Sequence, residues 1–234
     1  MSGRMRRRAH GWALGLLAWF LVAACAAAPQ KPCDLMKMLQ SLAPATVQKG
    51  IAGFVAMGEK GAVPLVCYMG GKAAACPRPT AAGKLNAERA LVRIGSDALS
   101  AAQDELGSKN EELRVRLVRV LGQITDIRRE APLKRRWEVE RSDRVRAALV
   151  ATMTTFEGCD APLTFGPRYV VAGPLERQAM VVYYAQFGTD SDLSAVLRPA
   201  GAKRAAILQG AMTTLKTLKT KPAKQGLARL QRMR

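Results

Sequence analysis

Histidine, the side chain most often used as a catalytic acid or base, occurs once in this 234-residue sequence. The one histidine, His10, precedes the main body of the chain, which therefore has no imidazole for a Ser-His-Asp triad, a Cys-His pair or a His-ligated zinc site. No Ser-x-x-Lys, GxGxxG or GxxxxGKS/T motif is present. We therefore predict no catalytic residue, no metal site, no cofactor and no enzymatic activity.

Carboxylate chemistry needs no histidine, so a hydrolase that uses paired acids remains an alternative. Glu157, Asp160 and Glu176 are the acids from which such a pair would be drawn. This alternative predicts two close carboxylates in a deep groove.

Four cysteines accompany Cys25 along the chain: Cys33, Cys67, Cys76 and Cys159. Outside the cytoplasm such thiols oxidise, and four cysteines allow three pairings. The segment from Cys67 to Cys76 is short and carries two glycines, so we predict a Cys67–Cys76 disulfide. The alternative is that Cys67 is a small buried hydrophobic residue on a helix.

The first residues have the pattern of an export signal. Four arginines at positions 4–8 precede an uncharged apolar stretch at positions 11–24. The following Val22-Ala23-Ala24-Cys25 resembles the lipobox of bacterial lipoproteins, which implies a signal peptide over residues 1–24 and diacylation of Cys25. Cleavage within the alanines at 26–28, giving a secreted protein, and an uncleaved anchor over 11–28 are the alternatives. Each places the body outside the cytoplasm, and Ala26 after the cysteine resembles lipoproteins sorted to an outer membrane.

Helices are the elements that must position any functional side chain. Apolar residues recur at helical spacing in the segments 47–55, 113–124, 145–156 and 207–218, and aromatic residues make up only 5% of the chain. The junctions Ile94-Gly95-Ser96-Asp97 and Phe187-Gly188-Thr189-Asp190 predict a helix stop by a left-handed glycine, followed by a capped helix start. We therefore predict an all-α fold.

These helices recur as pairs. The positions Met57, Ile94, Leu121, Met153, Ala185 and Met212 are equivalent in the repeat, at intervals of 27–37 residues. The segment 143–149, Asp-Arg-Val-Arg-Ala-Ala-Leu, resembles the opening of HEAT repeats of the phycobilisome-lyase type. The resemblance implies an α-solenoid of about five to six stacked antiparallel helix pairs over residues 45–220, whose usual role is binding. The segments 70–83 and 130–141 interrupt the repeat as inserts between helices.

Two further regions flank the repeats: a lipid-anchored segment with a first helix at 25–44 and a basic tail at 221–234. The whole chain carries a net charge of +19, no acid follows Asp192, and residues 198–234 hold ten Lys and Arg. A field of this sign attracts anionic partners. We predict that binding to such a partner uses Lys216, Lys219, Lys221, Lys224, Arg229, Arg232 and Arg234. The alternative is a solvated face without a partner, while Leu227 and Leu230 either form a basic amphipathic end or cap the last repeat.

The sequence thus predicts a lipid-anchored binding or scaffold protein of the bacterial cell envelope, facing the periplasm or sorted to the outer membrane. Its partners would be the membrane, through the lipid on Cys25, and a protein or an anionic envelope polymer. A nucleic-acid-binding protein is the alternative, because some DNA glycosylases are built from HEAT-like helices and the charge suits a duplex. The export signal argues against that alternative.

Overall fold

The computed structural model describes residues 31–73, 76–156 and 164–233. All regular secondary structure in these segments is helical, which confirms the predicted all-α class. No helix within the described segments combines the length and the apolar character that crossing a bilayer requires. The predicted signal peptide and Cys25 lie outside them.

Short junctions separate the helices along the chain. The α-helices are α1 Pro32–Leu39, α2 Pro44–Met57, α3 Glu59–Met69, α4 Ala81–Ile94, α5 Leu99–Asp104, α6 Glu111–Gln123, α7 Glu130–Val139, α8 Asp143–Met153, α9 Pro174–Phe187, α10 Asp190–Leu197, α11 Arg204–Leu218 and α12 Lys221–Arg232. Short 3₁₀ helices follow at Gly95–Ala98, Glu105–Gly107, Ile127–Arg129, Gly166–Arg168 and Arg198–Lys203.

Polar caps fix where many of these helices begin. The side-chain oxygens of Thr80, Asn110, Ser142, Thr189 and Thr220 each accept a hydrogen bond from the backbone N–H three residues later. At Thr189 the Asp192 carboxylate also accepts from the Thr189 N–H, completing a capping box. Each cap stabilises its helix by about 1 kcal/mol.

Glycine ends two of the helices for different reasons. Gly95 has a positive φ of 72°, which favours glycine as predicted, although its ψ of −134° lies outside the left-handed helical region. Gly188 does not have a positive φ, because its φ is −94°. Glycine is required at 188 for space, since a Cβ there would lie 2.5 Å from Cδ1 of Tyr184.

The helices predicted from periodicity are present as α2, α6, α8 and α11. The insert predicted over 130–141 is wrong, because most of it forms the helix α7. Leu133 and Trp137 lie one turn apart on that helix and are buried in the core. These two residues pack a largely charged segment against the core.

Six helices form what we call the central row: α2, α4, α6, α8, α9 and α11, each in contact with the next. The other helices pack beside this row: α3 on α2 and α4, α5 on α6, α7 on α8, α10 on α9, and α12 on α11 and α9. Helix α1 packs on α2 and α4. A single apolar core extends from Leu35 in α1 to Leu230 in α12.

Candidate binding groove

Two adjoining cavities lie across the central row. The first, of about 460 Å³, lies between α6 and α8 and is lined by Val115, Arg119, Arg144 and Ala148 among others. The second, of about 500 Å³, lies between α8, α9 and α11. Ala151 and Thr155 line both cavities. We call this continuous depression over four helices the groove.

Small residues allow the helices under the groove to approach closely. A Cβ at Gly122 of α6 would lie 2.9 Å from Cγ2 of Thr152 on α8. A Cβ at Gly210 of α11 would lie 2.2 Å from Oε1 of Gln178 on α9. At Gly210 the flexible end of Gln178 could move aside, whereas a side chain at Gly122 would press on the β-branched Thr152 of α8, so Gly122 helps set the shape of the groove floor.

The α9–α11 end of the groove is apolar. Leu175, Phe187 and Leu218 line it and remain 46%, 62% and 43% exposed. The ring of Tyr183 packs 5.5 Å from that of Phe187. Several exposed large apolar side chains around one cavity mark an interaction site more often than scattered single residues do.

The α6–α8 end of the groove is cationic. The residues that line the two cavities include Arg119 and Arg144 and no carboxylate. Arg144 donates to Glu112 at 2.8 Å, whereas no side chain among the described residues pairs with Arg119, which is exposed. Arg119 is therefore the arginine of the groove that can take a carboxylate from outside.

A ladder of ion pairs fixes this cationic end across three helices. Glu88 on α4 pairs with Arg116 on α6, which pairs with Glu112, which in turn binds Arg144 on α8. Burial acts to raise the pKa of Glu112, but Arg116 and Arg144 hold that pKa below its ordinary value. The ladder connects α4, α6 and α8 at the cationic end.

A buried carboxylate joins the turn after α7 to α6. Glu140, whose side chain is 2% exposed, binds Arg114 and Arg136 and accepts from the backbone N–H groups of Arg141 and Ser142. Burial opposes ionisation, but the backbone bond from Ser142 and the two arginines lower the pKa of Glu140 to about 2. The carboxylate is therefore a structural anion at neutral pH.

Glu176, one of the acids of the hydrolase alternative, is fully buried. It accepts a 3.0 Å hydrogen bond from the indole Nε1 of Trp137, and Arg146 and Arg168 lie 3.8 Å and 3.7 Å from its oxygens. Burial raises the pKa of Glu176, while Trp137 and Arg168 oppose that rise. The other two acids of that alternative, Glu157 and Asp160, lie outside the described residues.

The predicted cationic tail divides into two groups. Lys216, Lys219, Lys221, Lys224 and Arg232 are exposed, and Arg234 lies outside the described residues. Arg229 is used within the fold. Its guanidinium donates to the carbonyls of Tyr184, Ala185 and Gly188 at the end of α9 and binds Asp190 at 2.5 Å.

The apolar face of α12 is covered by its neighbours. Leu230 is fully buried, Leu227 is partly buried against the core, and a Cβ at Gly226 would lie 2.9 Å from the carbonyl oxygen of Ala185. Of the two interpretations of Leu227 and Leu230, capping of the last helices is therefore correct. The exposed face of α12 is polar and cationic.

The predicted Cys67–Cys76 disulfide is wrong. Cys76 pairs with Cys33, with Cα atoms 5.0 Å apart, and Cys67 is a free, half-buried thiol on α3. Cys67 is still within its helix, whereas α1 brings Cys33 back to the loop that carries Cys76. Cys25 and Cys159 lie outside the described residues.

Among the described residues no cluster of His, Cys, Asp or Glu could hold a metal ion. Comparison of the chain with family models, curated proteins and solved structures finds no match. The interpretation of the groove consequently depends on its own geometry.

Sequence reasoning did not find the groove. Its lining residues come from four separate helices and include no histidine, cysteine or carboxylate. One signal was available: Leu175, Phe187 and Leu218 are large apolar residues at helix ends. That they line one cavity depends on how α9 packs against α8 and α11.

Proposed function

We propose that this chain is an exported, lipid-anchored α-solenoid that binds a protein partner in the groove. The observation that carries the proposal is the groove itself, which extends over four consecutive helices of the central row and gathers three exposed large apolar side chains. Concave, partly apolar surfaces of this size are where proteins take ligands and partner segments.

Two regularities support a solenoid of the HEAT-like kind. The six positions that the sequence makes equivalent, from Met57 to Met212, all fall on the central row. The fourth residue after the N-cap is arginine in α6, α8 and α9, namely Arg114, Arg146 and Arg177, and each side chain is largely buried. Repeated helix pairs with equivalent buried contacts are typical of stacked α-solenoids.

Export and anchoring rest on the N-terminal pattern and on the cysteines. The lipobox-like segment ending at Cys25 supports lipidation and a place in the cell envelope. The Cys33–Cys76 pair supports an oxidising compartment, because disulfides persist outside the cytoplasm and are rare inside it. The anchor would hold the groove close to a membrane surface.

The cationic residues at the C-terminal end favour a second candidate function, binding of an anionic envelope polymer. Lys216, Lys219, Lys221, Lys224 and Arg232 are exposed, and no acid follows Asp192 in the sequence. Each exposed cation contributes on the order of 1 kcal/mol at an anionic surface. Replacing the four lysines by Gln would abolish such binding and leave binding in the groove intact.

A substitution that fills the groove tests the main proposal. Ala151 is exposed and lines both cavities, so Ala151→Trp places an indole between them. We expect proteins that copurify with the cell-produced chain to be lost from this variant and retained by the control Ala131→Trp, at an exposed position of α7. Equal recovery from both variants would contradict the proposal.

A further inference from the structure

The charge and apolarity of the groove differ along its length, and this difference indicates what kind of partner it fits. The α6–α8 end presents Arg119 without a partner among the described side chains, and the α9–α11 end presents Leu175, Phe187 and Leu218. No carboxylate lines either cavity. A ligand must therefore supply a negative charge at one end and apolar side chains at the other.

We propose that the occupant of the groove is an acidic amphipathic peptide segment of a partner protein. This inference rests on the proposed function and names the partner class for the same site. A carboxylate of the segment pairs with Arg119, and apolar side chains of the segment fill the cavity of about 500 Å³ beside Phe187 and Leu218.

The geometry sets the spacing of these features in the partner. Neighbouring packed helices lie about 9 Å apart, so α6 and α9, two steps apart in the central row, are separated by about 18 Å. An extended peptide covers that distance in about five or six residues. The partner segment should therefore carry its acid about five residues from its apolar anchors, or about three helical turns away if it binds as a helix.

Charge argues against two other occupants. A second copy of this chain is strongly basic, since the 234 residues carry a net charge of +19, so two copies repel each other overall. The phosphates of a nucleic acid would pair with the guanidinium group of Arg119. The same charged backbone would lie against the exposed apolar residues at the α9–α11 end, which is unfavourable. An acidic amphipathic segment complements both ends.

Selection from a random peptide library tests the inference. Peptides of about 16 residues, long enough to cross the groove when extended, are displayed on phage and selected on the full chain, purified in the form that cells produce. We expect the enriched peptides to combine Asp or Glu with Leu, Phe or Trp at the stated spacing.

Matched variants then locate the binding of an enriched peptide. Arg119→Glu and Phe187→Ser should each weaken binding about tenfold or more. The controls Arg135→Glu and Ile127→Ser change an exposed arginine and an exposed large apolar residue outside the groove and should leave binding unchanged.

The outcomes separate the inference from the proposed function. Basic or neutral peptides that lose affinity in Phe187→Ser but not in Arg119→Glu would overturn the acidic class and leave a protein-binding groove in place. The inference would be overturned if no peptide were enriched, or if the enriched peptides bound both variants as tightly as the wild type. The copurification experiment with Ala151→Trp tests the proposed function independently of the peptides. Self-association that Phe187→Ser removes, seen by sedimentation, would identify a second copy as the occupant and overturn the inference.

Discussion

The buried carboxylate of Glu140 gives a stability effect that can be worked out from the structure. Its pKa falls from the ordinary value of 4.5 to about 2 because the Ser142 amide, Arg114 and Arg136 bind the ionised form. The gap between these two pKa values corresponds to about 3 kcal/mol of unfolding free energy. Glu140→Gln should therefore lower the stability of the chain by about 3 kcal/mol at pH 7.

The pH dependence of this effect has a definite sign. Since the folded pKa lies below the unfolded one, the contribution is complete above pH 4.5 and is lost as the pH falls towards 2. Urea unfolding at a series of pH values between 7 and 2 measures it. The wild type should lose about 3 kcal/mol more than Glu140→Gln over that range.

An exposed acid on the same helix provides the control. Glu138 is exposed on α7, so Glu138→Gln should change the unfolding free energy by less than about 0.5 kcal/mol at pH 7. If Glu140→Gln were as stable as Glu138→Gln, or kept the acid dependence of the wild type, the assignment of Glu140 as a structural anion would be refuted.

Three further predictions concern the cysteines and the end of α9. The Cys33–Cys76 bridge joins residues 43 positions apart, so Cys33→Ser should lower the unfolding free energy in urea by up to about 4 kcal/mol, and an unchanged urea midpoint would contradict the pairing. Arg229→Met removes the donor that caps α9 and should cost about 2 kcal/mol in the same assay, against less than about 0.5 kcal/mol for the exposed Lys224→Met. The N-terminal peptide from membrane fractions should carry a diacylglyceryl mass on Cys25 that is absent from Cys25→Ser. An unprocessed N-terminus would instead indicate an uncleaved membrane anchor, and cleavage after Ala28 would indicate a secreted protein.

The all-α class and several helices could be predicted because they depend on local chemistry. Apolar residues three and four apart define α6 and α11, and the side chains of Asn110 and Thr189 satisfy the backbone donors that begin α6 and α10. The positive φ of Gly95 could also be predicted locally, because glycine adopts such an angle without a steric penalty. Gly188 does not have the predicted backbone. Glycine is required there because the nearby Tyr184 leaves no room for a side chain.

What the sequence could not predict depends on residues far apart in the chain. The short distance from Cys67 to Cys76 favoured the wrong disulfide, whereas helix packing brings Cys33 to Cys76. The many charges of α7 favour an insert, because only Leu133 and Trp137 repeat at helical spacing within it.

The candidate site was predicted only in part for the same reason. The abundance of cations at the C-terminal end was visible in the sequence, but the internal role of Arg229 required the carbonyls of α9. The groove exists only where α6, α8, α9 and α11 meet, and no local pattern encodes that meeting.

Site-specific photo-crosslinking in the cells that produce the protein tests the central claim most directly. A photoreactive amino acid is placed at Ala151 in the groove, or at Ile127, which is 75% exposed outside it. The proposal predicts a discrete crosslinked protein from Ala151, absent from Ile127 and lost when Phe187→Ser is added. No adduct from Ala151, or the same adducts from both positions, would contradict a partner-binding groove.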